Sequence, residues 1–70
     1  MKKLTKTEKV HINMITELNA KSCKKNFDTC ETIIKKSSFI TGIWTGLIAA
    51  GFDFDSVYDD EISEIWDKAK

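Results

Sequence analysis

His11, Cys23 and Cys30 are the side chains in this chain best suited to making or breaking bonds: one imidazole and two thiols. A general base needs a nucleophile and an orienting partner within reach, and no motif around His11 supplies either. Its position on the apolar side of a helical pattern suits a packed core or edge histidine. Read as zinc ligands, Cys23 and Cys30 are separated by six residues, against roughly two to four in common zinc sites, and a fourth ligand is missing. Cys30 shares a helical face with Phe27 and Ile34 and is expected to act as a small core hydrophobe. Cys23 falls near a connection, where a thiol is partly exposed. The run Asp53-Phe-Asp55-Ser-Val-Tyr-Asp59, with Glu64 at its twelfth position, invites comparison with a calcium loop. Val57 stands where that loop needs an oxygen ligand, and Tyr58 where its turn needs glycine. The sequence therefore predicts no catalytic residue, no metal site and no cofactor; the expectation is a protein that is not an enzyme.

What remains is the chemistry of docking. The formal net charge is zero, yet the charges are segregated. Residues 1–36 carry nine lysines against Glu8, Glu17, Asp28 and Glu31, giving +5, and residues 37–70 carry two lysines against seven acids, giving −5. A dipolar chain of this kind can pair its own halves or meet a partner of either sign. The acids Asp59, Asp60, Glu61, Glu64 and Asp67, rimmed by Tyr58 and Trp66, admit two readings. One is a solvated helix face whose first-turn carboxylates suit the helix dipole. The other is an anionic patch that binds a basic surface on a larger protein. On the basic side, Lys21, Lys24, Lys25, Lys35 and Lys36 could form a phosphate-binding patch. Every basic residue is lysine, and the bidentate reader of guanine and phosphate is arginine, so nucleic acid is the second choice.

These groups must be positioned by helices, because the chain has no proline and only three glycines. Thr5 to about Lys21 shows an amphipathic pattern, opened by Thr5-Lys-Thr-Glu8 at capping-box spacing. Leu4, Val10, His11, Met14, Ile15 and Leu18 form its expected inner stripe, with Ile12 off it. Ser22 to Asn26 is expected to be a connection. The apolar stripe resumes at Phe27, and a break or kink is expected at Ser37–Ser38, although one continuous helix would also carry the pattern. From Phe39 to Ala50 the sequence is uncharged: Phe39, Ile40, Ile43, Trp44 and Leu47 crowd one side, and Gly42, Thr45, Gly46 and Ala49 line another. Glycine inside a helix costs roughly 0.5–1 kcal/mol relative to alanine, so this smooth face predicts a close neighbour, in the bundle or in a second copy. The uncharged stretch is shorter than the roughly twenty apolar residues that span a bilayer. Gly51 suits a helix C′ position. Asp55 or Ser56 can cap a last helix with Tyr58, Ile62, Ile65 and Ala69 inward and Val57 and Trp66 on the flanks.

Seventy residues make a single domain spanning 1–70, with a small core. The expected fold is all-α, a three- or four-helix bundle around a central apolar helix near 39–50. Two tryptophans, a tyrosine and four phenylalanines are many for such a core, so either both Trp44 and Trp66 pack inside or an indole is left at the surface as an interface anchor. The N-terminal lysines lack the apolar run of a signal peptide, and the two cysteines make no disulfide framework, so a cytoplasmic protein is expected. A load of lysine, isoleucine and asparagine is what AT-rich coding DNA gives, as in a low-GC bacterium or its phages. The expected function is a small regulator acting by protein–protein binding, such as an inhibitor carried by a phage or other mobile element. Its contact surface would be the acidic, aromatic face of the last helix, with a homodimer also open. The alternative is a nucleic-acid-binding protein using the lysine-rich 21–36 region.

Overall fold

A computed structural model describes residues 2–70 and shows an all-α domain of three helices. Helices α1 (Lys6–Asn26) and α2 (Thr29–Ala49) form a hairpin, and α3 (Ser56–Lys68) packs on both. Each helix starts on a side-chain cap. The Thr5 hydroxyl accepts from the Glu8 N–H while the Glu8 carboxylate accepts from the Thr5 N–H, closing the box the sequence predicts. Asp28 and Asp55 accept from the N–H groups of Glu31 and Tyr58, each at 2.8 Å.

Two boundaries differ from expectation. Ser22 to Asn26 is helical, and the α1–α2 connection shrinks to Phe27 and Asp28. Lysines and serines do not break a helix, whereas the Asp28 carboxylate starts a new one. Likewise α2 runs through Ser37 and Ser38 without a break, because neither proline nor glycine interrupts its backbone bonds there. Gly51 takes φ of +87°, the left-handed C′ conformation the sequence predicts. Its carbonyl accepts from the Lys2 N–H at 2.9 Å. That bond opens a two-residue parallel ladder between β1 (Lys2–Lys3) and β2 (Phe52–Asp53), too short to leave a periodic trace in sequence.

The core is small and comes mostly from α3. Tyr58, Ile62, Trp66 and Ala69 are buried with Ala20 of α1, alongside Thr16 and Thr32. The small side chains Thr16 and Ala20 let α3 lie close to α1, and the Thr16 hydroxyl is satisfied by donating to the Ile12 carbonyl at 2.8 Å. Consequently α1 is turned the other way from its apolar pattern. Val10, Met14, Ile15 and Leu18 are 47–65% exposed, His11 is exposed, and Ile12 is partly buried. Larger side chains on the inner face would have held α3 away. The thiols also exchange their expected places: Cys23 packs against the Ala20–Trp66 cluster and Cys30 is exposed.

In α2, Phe39, Ile40, Ile43 and Leu47 are partly buried, as their spacing predicts, and the Phe39 ring lies 5.6 Å from that of Trp66. Gly42, Thr45, Gly46 and Ala49 face outward. A Cβ built on Gly42 or Gly46 meets no atom within 4 Å, so close approach to a bundle neighbour is not what these glycines provide. The apolar helix is covered on one side only. The accessible surface is 5003 Å² for 8.0 kDa, against about 4,500 Å² expected of a folded monomer of that mass.

Candidate functional site

The open side of α2 meets α3 in a groove of about 480 Å³. Ile33, Ile40 and Trp44 lie seven and four residues apart on one face of α2 and supply the apolar part of its wall, with Lys36, Ser37 and Thr41 beside them. The α3 edge carries Asp59, Asp60 and Ser63. These carboxylates lie in or next to the first turn of α3, where the helix dipole favours them. A second cavity of about 240 Å³, lined by Trp44, Phe54, Asp55, Ser56 and Asp59, continues the groove past the end of α2. Trp44, 48% exposed, is common to both. Lys36 on the α2 side is already paired with Asp67, so Asp59 and Asp60 are the charges left facing an occupant, and the groove suits a helix or strand that is apolar and carries cations on the α3 side.

The aromatic members of the expected contact face are elsewhere. Tyr58 and Trp66 are each 2% exposed and cannot rim a docking surface. Trp66 fills the gap between α1 and α2 against Phe39, and the Tyr58 hydroxyl donates to Asn13 Oδ1 at 2.9 Å, with the Lys9 carbonyl sharing the proton at 3.2 Å. The two indoles thus exchange roles: Trp66 builds the core and Trp44 is the one presented. The acids divide in the same way. Asp59 and Asp60 face the groove, Asp67 pairs with Lys36 at 2.8 Å, and Glu64 pairs with Lys68 at 2.8 Å beside exposed Glu61.

The lysine set is also largely engaged within the chain. Lys24 Nζ donates to the carbonyls of Trp66 (2.6 Å), Asp67 (3.0 Å) and Ala69 (2.6 Å), closing the C-terminal end of α3. Lys35 lies 4.3 Å above the Phe27 ring, and Lys21 pairs with Glu17 at 3.0 Å. Lys25 remains exposed. A patch expected from residue numbers 21–36 is therefore divided between the end of α3, a cation–π contact and two ion pairs. Among the described residues, no three His, Cys, Asp or Glu side chains gather as a cation site, and no helix is long and apolar enough to cross a membrane.

Burial pushes the Tyr58 hydroxyl up to about 12 from 10.0, with the nearby Glu61 charge adding to the shift. The folded state therefore keeps a proton that the unfolded state loses first. The stability this group contributes is complete below pH about 10 and is lost as pH rises towards about 12. We expect the thermal midpoint of the wild-type chain to fall faster across that window than that of Tyr58→Phe. Parallel curves for the two proteins would contradict this placement of the proton.

Compared with protein-family models, curated proteins and solved structures, the chain matches none. Its function must be argued from the surfaces themselves. Sequence reasoning missed the groove, although the 33–40–44 spacing was visible, because the choice of which side of α2 stays open is made by α3.

Proposed function

We propose that the protein is a non-enzymatic regulator that acts by binding a larger protein, in the manner of an inhibitor carried by a mobile element. The α2/α3 groove takes an apolar segment of that partner flanked by lysine or arginine, and blocks whatever the segment otherwise binds. The observation that carries this reading is Trp44, about half exposed on an apolar floor beside Asp59 and Asp60. Buried or groove-lining tryptophans with a polar rim are where binding energy concentrates at protein interfaces. The carboxylates add steering and selectivity more than affinity.

A direct test uses two synthetic helical peptides with the same leucine stripe, one flanked by lysines and one by glutamates. The lysine peptide should bind at least about tenfold more tightly at low salt, and the difference should shrink as salt screens the rim. Asp59→Lys/Asp60→Lys should remove the preference while circular dichroism shows unchanged helicity. Equal binding of both peptides, or a charge-reversed protein that behaves like wild type, would overturn the reading.

A further inference from the structure

The chain displays a second unpartnered apolar surface, on the side of α1 directed away from the bundle. Val10, Met14 and Leu18, four residues apart in turn, are 47%, 56% and 65% exposed. Lys21 and Lys25 continue the same face toward the helix C-terminus, both in the half of the chain that carries +5. An apolar stripe with lysines at one end is chemistry that the groove on the other side of the molecule can take: Ile33, Ile40 and Trp44 beside Asp59 and Asp60, with the groove's own Lys36 already paired to Asp67. The α2 side of the groove runs from Ile33 to Trp44 and the α1 stripe from Val10 to Lys21, stretches of equal length, so the stripe can lie along the groove.

We infer that α1 of one copy docks its outward face into the α2/α3 groove of a second copy. The inference rests on the groove's preference for an apolar, basic-flanked helix. It accounts for both open surfaces at once. The chain exposes about 500 Å² more than a monomer of its mass should, in the direction expected of a surface that is covered in an assembly. The two faces are different patches, so the contact is heterologous. Each docked pair still offers one free α1 and one free groove, and association continues into a ring or an open row rather than stopping at two. Lys21 already has a partner in Glu17, but that pair is half exposed and can yield to the carboxylates of a neighbour. Self-association would occupy the same groove as the partner, so the regulator's free grooves would decrease as its own concentration rises.

Sedimentation velocity of the full chain over a wide concentration range tests this, with Met14→Glu/Leu18→Glu altering one face and Asp59→Lys/Asp60→Lys the other. These side chains are exposed or at the groove edge, and circular dichroism verifies that each variant is folded. Wild type should grow past a dimer with concentration. Each variant alone should associate at least about tenfold more weakly. An equimolar mixture of the two should stop at a 1:1 pair, because a single intact α1 and a single intact groove remain between them. Wild type that stays monomeric, or that stops at a dimer, overturns the inference, as does an Asp59→Lys/Asp60→Lys variant that assembles like wild type. The lysine-flanked peptide, measured against Met14→Glu/Leu18→Glu, separates the two ideas. Binding there with a monomeric wild type leaves the groove's preference standing and removes self-docking; no binding removes both.

Discussion

Replacing Trp66 with alanine should leave the chain largely unfolded at room temperature. The side chain is 2% exposed, is among the largest fully buried groups, and contacts the Ala20–Ala69 cluster and the Phe39 ring. Removing a buried tryptophan costs about 3–5 kcal/mol. A core of this size supplies only roughly 3–5 kcal/mol in total, so the two quantities cancel. The buried neighbours Ala20 and Ala69 are too short to fill the space that Trp66 leaves. Trp66→Phe should remain folded with a lowered midpoint, since it keeps a ring against Phe39. Far-UV circular dichroism and urea denaturation give the answer, and a Trp66→Ala protein that still unfolds cooperatively near the wild-type midpoint would disprove the assignment. The same substitution at Trp44, which is about half exposed, should cost much less stability, and the contrast between the indoles separates the core from the groove.

The second large effect is expected at Lys24. Its ammonium donates to two carbonyls in the last turn of α3 and to that of the capping residue Ala69, where unpaired C=O groups and the negative end of the helix dipole gather. Hydrogen bonds from a charged donor contribute about 1.5–3 kcal/mol, and here one group serves three acceptors. Lys24→Met keeps most of the aliphatic stem and removes the charge. It should lower stability by about 2 kcal/mol in urea titrations, and the loss should appear first as fraying of α3. Lys25→Met, one residue on and exposed, should change stability by less than about 0.5 kcal/mol. Equal effects at the two positions would show that the contact to α3 contributes little. Either way, Lys24 ties the middle of the sequence to its far end, a role that no local pattern announces.

Much of the fold was legible, and the parts that were not share a physical cause. Thr5, Asp55 and Gly51 act through bonds within a few residues, so their capping and turn roles follow from type and spacing alone. The helical class follows from periodicity and from the lack of proline. By contrast, Val10, Met14 and Leu18 form a clear apolar stripe that points outward, and nothing local distinguishes a stripe facing the chain's own core from one facing another molecule. The choice was made by Thr16 and Ala20, whose small size admits α3 and whose meaning depends on a helix some forty residues away. The expected site failed for the same reason. The pattern puts Trp66 on the flank of α3 and Tyr58 on its inner stripe, and reading both as the rim of the acids fails because stacking on Phe39 and hydrogen bonding to Asn13 hold them inside. The serines of α2 illustrate the remaining weakness, since a residue that permits a helix boundary does not impose one.

Because α3 supplies most of the interior, the order of synthesis matters for this chain. Residues leave the ribosome at roughly 5–20 per second, so α1 and α2 emerge seconds before α3 has been completed. During that interval the hairpin has almost nothing to enclose, and Ala20, Cys23 and Phe39, which Trp66 later covers, are open alongside the stripe of Val10, Met14 and Leu18. A nascent chain in this condition is a natural client for a holding chaperone. Folding is then a single late event, set off when Trp66 and Ala69 clear the exit tunnel and Lys24 finds the end of the helix that carries them.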